Sequence, residues 1–341
     1  MRRIGRLLVA GILASIILVA TAWAVGALWY QLPVRPSARV ATAFLYGVFG
    51  LATIVAIFTK LRNWSLLLFL LCFVLLLTWW STIKPLEHAD WAPEVARQVI
   101  GARNGDVLTL NNVRDFEWHS KTDFTERWVT RTYDLSKLQT ADLFLSQWGN
   151  PNIAHVMISF GFEGGDYIAW SVEVRRRVGG AFSPVADLFK SHPLVIVASD
   201  ERDVVGVRSN FRGEDVQIYR LRASPDAARA LLLEYVRDAN ALSTTPEFYN
   251  SITTNCTTTI VKMMRAVGDG VPFDWRLIVN GYLPEYAYER GALDTSLPLA
   301  DLRERGHIDD RATAAELSPD FSRLIRVDVP SPSARSTNGI K

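Results

Sequence analysis

Cysteine is nearly absent from this chain: 341 residues hold two, Cys72 and Cys256. Histidine is scarce too, with five. No H-x-H, H-E-x-x-H or C-x-x-C pattern occurs, so the common zinc motifs are excluded, and nothing calls for a metal or a cofactor. Charge of one sign is also lacking. The 37 Lys and Arg against 35 Asp and Glu leave a net +2, which is no electrostatic footprint for nucleic acid. No internal repeat is present.

What the chain does have is apolar sequence at its start. Residues 7–32 are almost wholly apolar, 41–59 form a second run, and 66–80 a third within "SLLLFLLCFVLLLTWW". Runs of this length suit bilayer spans; a soluble core helix is the alternative for the third and shortest. The opening "MRRIGR" resembles the basic start of a signal peptide, but the run after it is too long and two more follow, so a retained anchor is expected. Arg2, Arg3, Arg6, Lys60 and Arg62 fall on one side of the three spans, and Arg35 and Arg39 on the other. That asymmetry predicts a cytoplasmic N-terminus, with everything after Trp80 across the membrane. Trp79 and Trp80 suit the interface there.

The division expected is therefore a three-span anchor over 1–85, an exported domain over 90–325, and a Pro/Ser-rich disordered tail over 327–341 ending "VPSPSARSTNGIK". Cys72 lies inside the third span, which leaves Cys256 as the one thiol of the exported part and rules out an internal disulfide there. In an oxidising compartment an unpaired thiol is either reactive or tucked away as a small apolar residue.

The exported part reads as α+β. "DVLTL", "RDFEWHS", "RWVTRTYDL" and "DLFLSQW" are predicted strands, and "IAHVMISFGFEGGDYIAWSVEVRR" is a hairpin turning at "EGGD". "PLVIVAS" and "DVQIYRL" are further strands, and "SPVADLFKSH" a short helix. "SPDAARALLLEYVRDANAL" is a helix capped by Ser224, with Ala230, Leu233, Val236 and Ala241 on its apolar stripe.

In "SITTNCTTTIVKMM", Asn255 is a good N-cap and sets Cys256 in the first helical turn. The free N–H groups of that turn favour a thiolate and could hold an oxyanion. Cys256 also shares a stripe with Ile260, so a sulfur packed under its own helix is the alternative. A thiol nucleophile needs a base, and of the histidines only His155 lies within a strand of the hairpin. Setting Val172 and Val174 beside Val156 and Ile158 places His155 on one face with Ser171, Glu173 and Arg175. Cross-strand neighbours are in hydrogen-bond reach, which proposes Glu173 as partner of His155, with Ser171 as its substitute. The alternative is a solvated face with an ordinary Glu–Arg pair.

Three stretches together, "HVMISFGFEGGDYIAWSVEVRR", "DERDVVGVRSNFRGEDVQIYRL" and "EFYNSITTNCTTTIV", resemble the family named after the N-terminal periplasmic domain of Lnb, a lipoprotein N-acyltransferase. The order His then Cys resembles permuted papain-like proteins. The resemblance implies a periplasmic permuted papain-like (NlpC-type) domain, and with the three spans, which do not match the family pattern, the expectation is a membrane-anchored α+β protein in the bacterial inner membrane. It implies a thiol acyltransferase with Cys256 as nucleophile, His155 as base and Glu173 behind it, and Asn255, Ser171 and Tyr249 in support. Lipid or lipoprotein is then the substrate class. A cysteine peptidase or amidase acting on cell-wall peptide, and a membrane-anchored scaffold without enzymatic activity, are the alternatives.

Overall fold

A computed structural model describes residues 2–268 and 270–332. The expected tail from 333 onward lies outside the described residues. The chain divides into two compact units, one of residues 1–86 with 183–192, the other of 87–182 with 193–341.

The first unit holds helices α1 (Arg2–Gln31), α2 (Pro36–Ala56) and α3 (Arg62–Thr82). Each has the length and apolarity of a membrane span. Gly50 lets α2 approach α1, since a Cβ there would meet the Thr21 hydroxyl at 2.1 Å. Close approach through small residues is how helices pack in lipid, where no hydrophobic drive joins them. The helix expected in "SPVADLFKSH" is a single turn, Pro184–Asp187. Its segment belongs to this unit: Phe189 stacks on Tyr30 at 5.4 Å and Gln31 donates to the Phe189 carbonyl at 2.6 Å.

The second unit is mixed α/β. Its strands are β1 (Ile100–Asn104), β2 (Val107–Arg114), β3 (Glu117–Trp118), β4 (Phe124–Thr125), β5 (Trp128–Asp134), β6 (Leu138–Gln147), β7 (Ala154–Phe162), β8 (Tyr167–Val174), β9 (Leu194–Ser199) and β10 (Asp215–Arg220). The main sheet runs β1-β2-β9-β8-β7-β6-β10, with β5 also on β2. All its pairings are antiparallel except the single β2–β9 bridge. The predicted hairpin is β7–β8, and Gly164 and Gly165 take the positive φ its turn demands.

Both sheet faces are covered. Val156, Ile158, Phe160, Trp170 and Val172 pack with the helix Pro225–Thr244 and the Cys256 helix. Phe144, Met157 and Ala169 pack on the other side against Val204, Val205, Ala312 and Phe321. The face expected as a possible solvated surface is thus interior, because the segment after β9 and the C-terminal helices lie over it. On Pro225–Thr244, Ser224 caps as expected, accepting from the Ala227 N–H. The buried stripe is Ala228, Leu231, Leu232, Tyr235, Val236, Ala239 and Leu242. Of the stripe read from sequence only Val236 is on it, because the Leu231–Leu233 run offers two neighbouring stripes of similar apolarity and the sheet selects the one bearing Tyr235.

Candidate active site

Thr257, Thr258 and Thr259 are weak helix formers, and the helix Cys256–Ala266 starts on them nonetheless. The reason is a capping box. Asn255 Oδ1 accepts from the Thr258 N–H at 2.9 Å, and the Asn255 N–H donates to Thr258 Oγ1 at 2.9 Å. A good cap contributes about 1 kcal/mol. The Asn255 side chain also donates to the Ser251 carbonyl at 2.8 Å. It therefore serves the helix start and is turned away from an oxyanion role. The Thr259 N–H goes to the Asn255 carbonyl, so the first-turn donors remaining for a developing oxyanion are the N–H groups of Cys256 and Thr257. Tyr249 is buried in the core cluster that also holds Cys256.

The hairpin register pairs Met157 with Ser171, and carrying it two residues further sets His155 opposite Glu173. His155 Nε2 lies 2.6 Å from Ser171 Oγ and 3.2 Å from Glu173 Oε1. Ser171 Oγ donates to Glu173 Oε1 at 2.7 Å. Ser171, expected as a substitute for Glu173, instead stands between the two: it accepts from Nε2–H and passes its own proton direction on to the carboxylate. That leaves Nδ1 as the ring nitrogen for Cys256.

Electrostatics agree with this assignment. Burial pushes the imidazole pKa down, but the Glu173 charge and the hydrogen bonds the ring donates to Cys256 and Glu173 outweigh burial and the Arg208 charge, and His155 is raised to about 9. Burial pushes the Cys256 thiol up, and the hydrogen bond and charge of His155, with the Val156 N–H, bring it net below its ordinary value. Partial burial pushes the Glu173 carboxyl up, but the His155 charge and hydrogen bond, with Arg208 and Ser171, hold it well below the carboxylate range. Both shifts of the pair, His155 up and Cys256 down, run in the direction of a thiolate facing an imidazolium.

Two residues that sequence reasoning missed complete the site. Asn280 exchanges hydrogen bonds with the backbone of Ala154, at 2.8 and 2.7 Å, and its Nδ2 also reaches Thr257 Oγ1 at 2.9 Å and Cys256 Sγ at 3.8 Å. It thereby ties the residue before His155 to the residues around the sulfur. Arg208 donates to Glu173 Oε1 at 3.1 Å. Arg208 lay in a segment quoted for the family resemblance, but nothing local marked its partner. The other four histidines lie elsewhere: His88 exposed in the segment before β1, His192 on Asp187, His119 on Thr125, and His307 near Asp215 and Asp309. Among the described residues, that last trio has ligand atoms close enough to hold a cation; it is largely exposed and shares no contact with Cys256.

An apolar cavity of about 230 Å³ lies where β7 meets the Cys256 helix, walled by chain neighbours of the pair rather than by Cys256 or His155 themselves. Val156 and Ile158 of β7 line one wall, Thr257, Ile260 and Met264 of the Cys256 helix another, and Leu283 part of the rest.

Three membrane-type helices and a mixed α/β domain with a buried thiol–imidazole pair define a membrane-anchored protein with a globular outer domain. Residues 124–281 match the family model of the Lnb N-terminal periplasmic domain. That stretch contains His155, Ser171, Glu173, Arg208, Cys256 and Asn280, and the family it matches is described as a periplasmic domain. No curated protein and no solved structure matches the chain.

Proposed function

We propose that the domain is a thiol acyltransferase acting on membrane lipid or lipoprotein, with Cys256 as nucleophile and His155 as its acid and base. The observation that carries this reading is the apolar cavity, because the helix presenting Cys256 and the strand presenting His155 both line it. Each buried methylene contributes about 0.8 kcal/mol, so a chain of about eight carbons seated there gains roughly 6 kcal/mol, enough to select an acyl group by its tail.

The thiolate attacks the ester carbonyl of the donor, and the first-turn N–H groups of Cys256 and Thr257 receive the oxyanion. The C–O bond breaks as the imidazolium gives its proton to the leaving alcohol, and the acyl group remains as a thioester. An amine then attacks, His155 takes its proton, the amide forms and the thiolate returns. The order of the pair, His in a strand before Cys at a helix start, fits a permuted papain-like arrangement, and the proposal includes that fold. A peptidase or amidase would want a polar, open cleft, and the cavity between β7 and the Cys256 helix is lined mainly by apolar side chains. A scaffold would leave a buried ion pair with no purpose.

The test is intact-protein mass spectrometry after incubation with phospholipid or with diacylated lipoprotein. An acyl mass on the wild type, absent from Cys256→Ser, is the expected result. Cleavage of cell-wall peptide with no acyl adduct would move the protein to the hydrolase class. We also place the N-terminus in the cytoplasm, from the Arg2, Arg3, Arg6, Lys60 and Arg62 asymmetry, and the anchor in the inner membrane. A reporter active only in the cytoplasm should be silent at the C-terminus; strong signal there reverses the orientation.

A further inference from the structure

Arg208 is buried, and the chemistry above does not use it. It comes from Val207–Arg212, a π-helical turn. Such turns are rare and cluster at functional sites. The turn closes at Gly213, whose φ of +64° is left-handed, and Glu214 follows. The guanidinium donates to the Val204 carbonyl at 2.6 Å and to Glu173 Oε1 at 3.1 Å, and its Nε lies 3.8 Å from Glu214 Oε2. Glu214 Oε2 in turn accepts from Ser146 Oγ. Ser146 is the registered cross-strand partner of His155. The contacts therefore return to the strand position where they began.

We propose that Arg208, backed by Glu214, is a positioning residue of the dyad: it fixes Glu173 against His155 and loosens the hold of that carboxylate on the imidazolium proton. The inference rests on the Cys256–His155 reading above. An imidazolium held beside a carboxylate keeps its proton strongly, yet acyl transfer requires that proton to leave for the departing alcohol. A guanidinium on the same carboxylate oxygen draws down its basicity and keeps its place.

The groups facing the imidazole support this balance. Ser146 comes from β6, Ser171 and Glu173 from β8, and Cys256 from its helix, with the buried Tyr235 phenol near the sulfur. Arg208 and Glu214 are joined by Arg212, 3.8 Å from Glu214, and the Arg114–Asp203 pair lies beyond. The permanent charges cancel: Arg208 and Arg212 against Glu173 and Glu214, Arg114 against Asp203.

The experiment is alkylation of Cys256 by iodoacetamide across pH in the full-length protein, read on the Cys256 peptide so that Cys72 does not contribute. In the wild type, reactivity rises in two steps, first as the ion pair forms and again as His155 loses its proton near its raised value of about 9. Arg208→Met moves the second step to higher pH by roughly one unit and slows acyl transfer while the thiolate stays reactive. Arg208→Lys keeps the charge and leaves the step close to the wild-type position. Glu214→Gln removes the acid that counters Arg208 and moves the step to lower pH. A step that stays in place in both Arg208→Met and Glu214→Gln, or shifts the same way in both, overturns the proposal. If Arg208→Met does not fold, Glu214→Gln decides alone: a downward shift supports, no shift refutes. A second step that persists in His155→Ala sinks the dyad itself, and this inference with it.

Discussion

One face of the β6–β7 pair carries three cross-strand couples: Ser146 with His155, Phe144 with Met157, and Asp142 with Ser159. The middle couple is apolar and fully buried, and it separates two ionic networks. At the far end, Arg326 binds Asp142 at 2.8 Å and Glu201 at 2.6 Å, and lies 3.6 Å over the Tyr167 ring. Arg220 takes the other side of Asp142, and Ser159 donates to Glu201. At the near end, Glu173 meets Ser171, Arg208 and His155. The networks have nearly the same parts: two carboxylates, two arginines and a serine. They differ in what can move. Both cations of the Arg326 network are guanidinium groups, which keep their protons, so it can only hold the C-terminal segment to the sheet. The other adds an imidazole and a thiol, and those can exchange a proton.

Breaking each network should therefore fail in a different way. The largest effect expected is on chemistry: His155→Ala should lower acyl-adduct formation by about 10³- to 10⁴-fold, the upper range for a general acid–base group. It should leave thermal unfolding little changed, since Glu173 keeps Ser171 and Arg208. Paired kinetics and melting check it, and normal turnover in a folded His155→Ala protein would eliminate the dyad. The converse is Arg326→Met. Buried ion pairs add little net stability, but orphaning their partners costs about 3–5 kcal/mol, and here Asp142 and Glu201 both lose a partner. Denaturant unfolding should register that loss while Cys256 alkylation in the folded fraction stays normal. Equal loss of thiol reactivity would mean that the apolar couple does not insulate one network from the other.

Smaller effects separate the members of the near network. Glu173→Gln keeps the shape and removes the charge that raises His155, and should slow transfer by about 10²-fold. Ser171→Ala removes the bridging hydroxyl but leaves Glu173 within 3.2 Å of the ring, so roughly tenfold is expected, one hydrogen bond of about 1.4 kcal/mol. If Ser171→Ala costs more than Glu173→Gln, the bridge matters more than the charge.

The two networks also differ in how far they could be read from sequence. The His155–Glu173 juxtaposition was legible because β7 and β8 are adjacent in the chain and their valine faces admit one parity. The N-cap was legible in Asn255, though not the reciprocal bond from Thr258, and so were the three apolar spans. Arg208, Glu214, Asn280 and all of the Arg326 network were not. Their partners lie far along the chain, 35 residues apart for Arg208 and Glu173 and 125 for Arg326 and Glu201. Neither a π-turn nor a side chain reaching across a sheet leaves a periodic signature. Arg326 was placed just past the end of the expected domain, because a Pro/Ser-rich stretch follows it. Burial of the His155 face was hidden for the same reason: an alternating strand shows which residues share a face, not what covers it.

The smallest effect is on stability against pH, and there too the networks part. His155 is raised from 6.5 to about 9 in the folded state, so alone it adds stability that is full below pH 6.5 and lost as pH climbs toward 9. Cys256 is lowered, so alone it adds stability that is present above its unfolded value, about 8.5, and lost as pH falls through its folded one. Between these unfolded values the two act in opposite senses, the raised imidazole making stability fall with pH and the lowered thiol making it rise, so each offsets the other. Cys256→Ser deletes one half of that cancellation. With His155 still raised by Glu173, unfolding free energy in the variant should fall as pH rises above about 6.5, by at most about 1.4 kcal/mol per pH unit. Arg326→Met removes no group that titrates there and should keep the wild-type profile at a lower level. Chemical unfolding of both variants at a series of pH values distinguishes them. A level profile for Cys256→Ser would mean that His155 is neutral in the folded protein, and that the resident state is a thiol beside an imidazole rather than an ion pair.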